Sequence, residues 1–392
     1  MKPPTIAGLD LWQIAAVAGR TPFFVYDGEA IEQRICMLRR ILPASVRLHY
    51  AMKANPLPSV VHRVAQHVDG LDVASLREMQ LALSTGMPAA DISIAGPGKT
   101  DPELAAAAVA GVVVNVESAG ELARLETLLA ADNRQARVAL RVNPDFQLRG
   151  SGMSMGGGAQ QFGIDAECVA EVAGTMRHSR LIGLHLFAGS QNLKADALVQ
   201  GVTETFRLAG RLAAELDVDL EELNIGGGLG IPYAPGDEAV DLSAYAEHLG
   251  MEVREWQRRF PECRVILELG RYMVGEAGFF VSRVVDKKQS RGKTFLVVDG
   301  GLHHHLAASG NFGQLFRKNY PISALTRRAS EDQETVNVVG PLCTPLDLLG
   351  KDVQLPRCDV GDLVVLHQSG AYGPTASPTG FLSHPEPIEL LL

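Results

Sequence analysis

The stretch VRLHYAMKANP, residues 46–56, determines how the rest of the chain is interpreted. Its largely apolar first part predicts a buried strand, and Pro56 favours an extended exit from that strand. Lys53 then lies at the carboxyl end of a core strand, at a partly dry opening. There its pKa can fall and its amine can become a nucleophile toward carbonyl groups. The alternative is a surface lysine whose stem covers the strand edge.

Short β-type runs alternate with longer helical patterns from Val46 to Glu268. Eight such runs with helices between them predict a parallel (β/α)8 barrel, and an open doubly wound sheet is the rival arrangement. The predicted strands are 46–52, 71–73, 91–95, 111–116, 137–142, 181–187, 221–225 and 264–268, and the helical stretches include 76–85, 118–130, 196–215 and 242–259.

Helical patterns become scarce after about residue 280, and the fold class changes with them. Strand-like runs separated by turn residues, at 279–281, 294–298, 336–339 and 363–366, predict an all-β domain. The early run 23–26 can join the same sheet. The predicted organisation is therefore a barrel over residues 33–280 and a β domain that combines residues 1–32 and 281–392.

Composition excludes several classes of protein. The chain has 392 residues, a formal net charge of −9 and a pI near 5.7, which argues against nucleic acid or an anionic membrane as a partner. Its five cysteines form no CxxC pair, so neither a disulfide framework nor a structural zinc is expected. We also find no signal-like start and no run approaching about 20 apolar residues. The expected location is the cytoplasm.

Chemically distinctive residues follow several of the predicted barrel strands. Lys53 follows the first strand, Ser190 the sixth, Gly226–Gly228 the seventh, and Glu268 ends the eighth with Arg271 just beyond it. The carboxyl ends of barrel strands share one mouth. Glycine N–H groups, a hydroxyl and a guanidinium can bind a phosphate, although a glycine cluster alone is more often a tight turn. An amine, a carboxylate and a phosphate cradle together predict a pyridoxal phosphate site.

An ordered set of motifs covers nearly the whole chain: YAMKANP, GLDVASLREM, AGPGKT, GLHLFAGSQ, NIGGGLG, ELGRYMVGEAG, VDGG, GPLCTPLD and GAY. This set resembles the fold-type III pyridoxal-phosphate decarboxylases of the ornithine, diaminopimelate and arginine decarboxylase family. The resemblance implies an alanine-racemase-like barrel with a β domain, pyridoxal 5'-phosphate as the cofactor, and a head-to-tail homodimer with shared active sites. It also implies a carboxy-lyase that releases CO₂ from the α-carbon of an amino acid or amino-acid derivative.

The resemblance further implies roles for individual residues. Lys53 would bind the cofactor covalently, Glu268 would pair with the pyridine nitrogen, and Cys343 would donate a proton in the active site of the other subunit. Outside its motif, Cys343 would be interpreted as a small buried apolar residue. The expected cofactor-binding residues are Lys53, Asp72, His185, Phe187, Ser190, Gly226, Gly227, Gly228, Glu268, Gly270, Arg271 and Tyr372, and the expected substrate-binding residues are Arg271, Thr344, His304 and Tyr372.

Several positions depart from the usual pattern of this family. Phe187 stands where a histidine usually stacks on the cofactor ring, and phenylalanine can stack there but cannot form that side chain's hydrogen bonds. Leu269 replaces a proline. Thr344 stands where diamine-producing members have an acidic residue, and the arginine that follows VDGG in diaminopimelate decarboxylases is missing, so that His304 or Arg317 would have to substitute for it. Free lysine, ornithine and meso-diaminopimelate are therefore expected to be poor substrates, and a carrier-linked or specialised amino acid becomes the better candidate.

Two other functions are compatible with the same barrel. An amino-acid racemase usually places an arginine at the pyridine nitrogen, so Glu268 argues against that activity. A non-catalytic pyridoxal-phosphate carrier resembles the barrel alone, so the β domain with Cys343 and Tyr372 argues against that function. The run His303–His305 invites a metal site, but consecutive residues of a strand point to alternate faces, and no metal is predicted.

Overall fold

The computed structural model describes residues 3–147, 153–154, 156–187, 189–234, 236–310, 318–327 and 332–392. Its strands, numbered in chain order, are β1 (Phe23–Tyr26), β2 (Val46–Ala51), β3 (Gly70–Val73), β4 (Ile92–Ile94), β5 (Val113–Val116), β6 (Ala136–Asn143), β7 (Met153–Ser154), β8 (Ile164–Asp165), β9 (Ser179–Leu186), β10 (Gly189–Ser190), β11 (Glu222–Asn224), β12 (Arg264–Leu269), β13 (Gly278–Ser290), β14 (Lys293–Val298), β15 (Ile322–Leu325), β16 (Gln333–Val339), β17 (Leu348–Pro356), β18 (Leu363–Leu366) and β19 (Ile388–Leu391).

Several of the α-helices show sequence signals at the residues where they begin and end. Ser75 and Ser118 accept hydrogen bonds from the first turns of the helices Leu76–Ser84 and Ala119–Asp132, and Gly111 ends the helix Asp101–Ala110 in the left-handed region. The helices are α1 (Leu11–Ala18), α2 (Gly28–Ile41), α3 (Pro58–Ala65), α4 (Leu76–Ser84), α5 (Asp101–Ala110), α6 (Ala119–Asp132), α7 (Val169–Ala173), α8 (Ala195–Leu216), α9 (Leu242–Arg259) and α10 (Arg271–Val274). Among the described residues, no helix is both long and apolar enough to span a membrane.

Eight parallel strands form a closed ring in the order β2-β3-β4-β5-β6-β9-β11-β12, and β12 pairs back with β2. Closure gives every strand of the ring two neighbours, which an open doubly wound sheet cannot do at its edges. The predicted (β/α)8 barrel is confirmed. All eight predicted strands are present, because each is an apolar run interrupted by turn residues.

The barrel lies in one compact unit, Gln33–Gly230 with Ala239–Gly270. This unit ends before the predicted boundary at residue 280. Residues 231–238 and 271–280 belong to the other unit. The second of these segments reaches Gly278, which begins β13 and pairs with Tyr26 of β1.

The second compact unit comprises Met1–Glu32, Ile231–Glu238 and Arg271–Leu392. Its main sheet has the order β15-β18-β13-β14-β16-β17, and β1 extends it from β13 to β19. Most of these pairs are antiparallel, so the separate β domain is confirmed. Helix α1, which was not predicted, packs with apolar residues of β1, β13 and β18 in the core of this unit.

Candidate active site

Lys53 lies on a short 3-10 turn, Met52–Ala54, that follows β2 at the carboxyl end of the barrel. The sequence predicted a partly buried side chain for Lys53, but the side chain is exposed to solvent. The reason is that the strand ends at Ala51, so Lys53 lies on the turn beyond it. The lack of a side chain at Gly270 allows the end of β12 to approach this turn: a Cβ there would lie 3.0 Å from the carbonyl oxygen of Ala51 and 2.9 Å from the Cβ of Ala54. The end of β12 therefore packs directly against the turn that presents the lysine.

Glu268 and His185 form a buried pair inside the barrel. The carboxylate Oε2 of Glu268 on β12 lies 3.3 Å from Nε2 of His185 on β9, and the two residues are 7 % and 2 % exposed. Burial alone raises the pKa of Glu268, but the His185 imidazole and the Lys53 ammonium more than offset it and lower the pKa to about 2. Glu268 is therefore ionised at neutral pH and can accept a hydrogen bond from a protonated ring nitrogen.

A second polar chain crosses the neighbouring strands of the barrel. His49 Nδ1 lies 3.2 Å from Asp72 Oδ1, Ser93 Oγ donates to the same oxygen at 2.7 Å, and Asn115 Nδ2 donates to Ser93 Oγ at 3.0 Å. His49 Nε2 and Asp72 Oδ2 are buried and have no hydrogen-bond partner among the residues that the structure describes. Buried polar atoms of this kind usually have a partner, so this part of the barrel is suited to a polar ligand.

Phe187 and the glycine turn lie at the same mouth. The Nζ of Lys53 is 5.4 Å from the centroid of the Phe187 ring. Asn224 Oδ1 accepts from the N–H of Gly226 at 2.8 Å, which orients the start of the turn, and φ at Gly226 is +67°. A Cβ at Gly227 would overlap the carbonyl oxygen of Glu268, so the turn packs tightly against the end of β12.

These observations fit pyridoxal phosphate. An exposed amine, an ionised buried carboxylate, an aromatic ring and a glycine turn all lie at the carboxyl ends of β2, β9, β11 and β12. Ser190 lies on β10, whose backbone pairs with Met153. On β3, the buried Oδ2 of Asp72 has no hydrogen-bond partner among the described residues. Each group has a counterpart on the cofactor, which presents an aldehyde, an aromatic ring, a ring nitrogen and a phosphate. The barrel and these residues define a pyridoxal-phosphate enzyme.

Arg271 is surrounded by tyrosines in the second unit. Its Nη1 donates to Tyr233 Oη at 2.7 Å, and its guanidinium lies 4.7 Å from the centroid of the Tyr372 ring. Burial alone lowers the pKa of Arg271, but the phenol oxygens of Tyr233 and Tyr372 raise it overall. The two predicted residues Arg271 and Tyr372 therefore lie together. The guanidinium of Arg271 is a fixed cation that is suited to binding an anionic group. Tyr233 was missed, because it lies in a segment without a motif.

The loop that bears Cys343 and Thr344 is held by one carboxylate that sequence reasoning missed. Asp347 accepts from the backbone N–H groups of Leu302, at 2.6 Å, and Leu342, at 2.8 Å. Burial raises the pKa of Asp347. Asp347 therefore links the GPLCTPLD segment to the VDGG turn, while Cys343 is exposed and Thr344 half-buried. The only signal in the sequence was the acidic residue at the end of the cysteine motif.

The histidine run corrects one sequence-based inference. His303–His305 form a turn and not a strand, because the VDGG turn continues into them. His304 Nδ1 accepts from the Gly301 N–H at 3.4 Å, and its Nε2 lies 2.9 Å from the carbonyl oxygen of Pro385. His304 as a substrate-binding residue stays a prediction, although its ring already has these partners. Arg317, the other suggested substitute, lies outside the described residues.

Burial lowers the pKa values of all three histidines of this run. It lowers the pKa of His303 and of His305 to about 3. Within the described ranges, no group of three or more His, Cys, Asp or Glu side chains could hold a metal ion.

Comparison with known proteins identifies the family. Residues 29–275 match the model for the pyridoxal-dependent decarboxylase, pyridoxal binding domain. The chain belongs to this family. Pyridoxal 5'-phosphate is its cofactor, and it is a carboxy-lyase that acts on an amino acid or amino-acid derivative.

Relatives in the family differ in their substrates. The chain is 37 % identical to an L-glutamyl-[BtrI acyl-carrier protein] decarboxylase of Niallia circulans, over 98 % of this chain and 92 % of that relative. It is 31 % identical to a 2-[(L-alanin-3-ylcarbamoyl)methyl]-2-hydroxybutanedioate decarboxylase of Staphylococcus aureus, over 96 % and 95 %. Its structure matches that of diaminopimelate decarboxylase from Helicobacter pylori complexed with L-lysine, with a TM-score of 0.87, 28 % identity and coverage of 97 % and 94 %. These relatives are decarboxylases, which favours decarboxylation over racemisation or non-catalytic cofactor binding.

Proposed function

We propose that the protein removes the α-carboxylate of a glutamyl-type amino acid that is linked to an acyl-carrier protein. The observation that carries this proposal is the end-to-end similarity, 37 % identity over 98 % of the chain, to a decarboxylase that acts on such a substrate. Similarity of this extent includes the β domain as well as the barrel. The proposed substrate is therefore an amino acid that is joined to the carrier through its side-chain carboxyl group, so that its α-carboxylate is free to leave as CO₂.

The geometry around Cys343 supports a substrate without a free distal ammonium. Segment 340–347 has one acidic residue, Asp347, and both of its oxygens accept backbone N–H groups. Thr344 is neutral. A distal ammonium placed beside this loop would lose its hydration without gaining a carboxylate, which is costly. Free lysine, ornithine and meso-diaminopimelate are poor substrates under this proposal.

The residues divide the chemistry among them. The cofactor supplies an aromatic ring that accepts the electron pair left behind when CO₂ departs. Lys53 holds the cofactor through its amine and is exposed enough to meet an incoming substrate. Glu268, ionised and fixed by His185, holds a proton at the ring nitrogen. Cys343 donates a proton to Cα after CO₂ leaves, and Arg271 and Ser190 bind anionic groups.

The proposal includes a homodimer in which the Cys343 loop of one subunit reaches Lys53 of the partner subunit. The family resemblance suggests this arrangement. Its support here is that Cys343 lies exposed on a loop whose neighbouring Leu346 is 60 % exposed, as suits an apolar contact with another subunit. We also propose a cytoplasmic location, because Cys36 and Cys343 are exposed free thiols, which are typical of reducing compartments.

The test is CO₂ release with mass spectrometry of the products, across free lysine, ornithine, meso-diaminopimelate and glutamate and a carrier-linked glutamyl substrate. We expect kcat/KM for the carrier-linked substrate to exceed that for each free amino acid by about 10²-fold or more. Lys53→Ala serves as the inactive control. Turnover of any free amino acid in the panel at about 10⁴ M⁻¹s⁻¹ or above, which is ordinary for an enzyme on its own substrate, would contradict the proposal.

A further inference from the structure

A groove runs over the open face of strands β14, β16 and β17. It has a volume of about 460 Å³, and its floor and walls include Phe295, Val339, Leu342 and Thr344. Alternation along β14 explains the apolar floor, because Leu296 and Val298 point into the core while Phe295 stays half-buried on the other face. The volume is in the range of ligand-binding clefts.

Lysines border this groove. Lys293 and Lys351 line it, and Lys288 pairs directly opposite Phe295 in the β13–β14 register, which places its side chain on the same face. In the described part of the chain, the side chains of these three lysines have no hydrogen bond or ion pair. Lys287, on the other face, is bonded to Glu334 and to the carbonyl oxygen of Cys358.

Two carboxylates lie near these lysines, and neither forms an ion pair with them among the described residues. Asp347 lines the groove, but both of its oxygens accept backbone N–H groups. Asp286 lies opposite Val297, and one of its oxygens accepts from the N–H of Lys287. The three lysines outnumber these two carboxylates, and an excess of positive charge at one groove of a chain whose net charge is −9 favours an anionic ligand.

The groove also lies against the candidate proton donor. Thr344 and Pro345 form part of its wall, and they directly follow Cys343 in the loop that Asp347 holds in place. An extended ligand bound along the groove would therefore have one end beside this loop. A flexible arm with a phosphate at one end and an acyl thioester at the other has this chemistry.

We propose that the groove binds the phosphopantetheine arm and the adjoining acidic surface of the acyl-carrier protein. The inference rests on the proposed function and adds the surface that recognises the carrier. Lys288, Lys293 and Lys351 bind the phosphodiester and the acidic residues of the carrier. Phe295, Val339 and Leu342 pack against the apolar part of the arm.

The test uses the triple variant Lys288→Glu, Lys293→Glu and Lys351→Glu with two substrates, the glutamyl carrier protein and a glutamyl pantetheine thioester without phosphate or protein. For the variant, KM toward the carrier substrate should rise at least about 10-fold, and kcat/KM toward the small thioester should stay within about twofold. For the unmodified protein, added salt should raise KM toward the carrier substrate only. The matched control is Arg40→Glu, Arg134→Glu and Arg177→Glu, which makes the same charge change at other exposed positions.

Several outcomes would overturn the inference. An unchanged KM of the groove variant toward the carrier would do so, as would an equal rise in the control variant. A change in molar mass by light scattering in the groove variant alone would instead assign this face to contact between copies of the chain. If the unmodified protein does not turn over the carrier substrate at all, the proposed function fails as well, and this result is distinguishable because no variant is needed to see it.

Discussion

The barrel mouth and the Cys343 loop hold their reactive groups in different ways. In the barrel, Glu268, His185 and Asp72 lie on strands, are almost fully buried and are each in contact with another polar side chain of the barrel. Cys343 is exposed on a loop that the Asp347 carboxylate links to the backbone of Leu302 and Leu342. Groups on paired strands are fixed by the ladder of hydrogen bonds, whereas a loop depends on individual side chains.

This difference separates two kinds of task. A group that must hold one protonation state benefits from the rigid, water-poor barrel, where His185 and Lys53 keep the pKa of Glu268 low. A group that donates a proton to a substrate, the role proposed for Cys343, must reach that substrate, and an exposed loop allows this. We expect substitutions of Lys53 and Glu268 in the barrel to remove cofactor chemistry and substitution of Cys343 in the loop to remove proton donation.

The largest effect should come from Lys53→Ala in the barrel. Loss of the amine that binds the cofactor should lower kcat by at least about 10³-fold and abolish the visible absorbance of the bound cofactor. Borohydride reduction of the unmodified protein, followed by peptide mapping, should place the cofactor on Lys53. Lys194→Ala, at an exposed lysine, should keep both properties. Label on any other lysine would refute the assignment.

Glu268→Gln should lower kcat by about 10²–10⁴-fold while the cofactor stays bound, because a neutral amide cannot hold the proton at the ring nitrogen. The absorbance spectrum and single-turnover CO₂ release measure the two effects separately. Glu222→Gln is the matched control, since Glu222 is also a buried barrel carboxylate but lies 3.0 Å from Arg264. Near-normal turnover of Glu268→Gln would show that another group controls the ring nitrogen.

A smaller effect concerns stability against acid. The pKa of Glu268 is lowered in the folded protein from 4.5 to about 2. Its contribution to the free energy of unfolding is therefore complete above about pH 4.5 and is lost as the pH falls toward 2. Urea unfolding from pH 3 to 6 measures the free energy of unfolding of the unmodified protein and of Glu268→Gln. The difference between the two should rise up to about pH 4.5 and stay level above it. A difference that is constant with pH would mean that Glu268 is not held ionised.

The strands of the barrel could be predicted because each is a local run of apolar residues. The contact between His185 and Glu268 could not. Their strands, β9 and β12, are not neighbours, and both pair with β11, so the contact depends on the stagger of three strands. Asp347 was missed for a similar reason, since Leu302 is 45 residues away in the chain. Helix α1 was missed although its sequence carries the signals, since Asp10 and Gln13 form a capping box at its start and Gly19 ends it in the left-handed region.

The central claim is that the barrel mouth and the Cys343 loop complete one site only across two subunits. The most direct test mixes Lys53→Ala with Cys343→Ala, each inactive alone, under conditions in which a mass tag confirms subunit exchange. If the site is shared, half of the dimers are mixed and each has one intact site, so activity should return to about one quarter of that of the unmodified protein. If both groups act within one subunit, no mixed dimer has an intact site. Confirmed exchange without recovered activity would contradict the account.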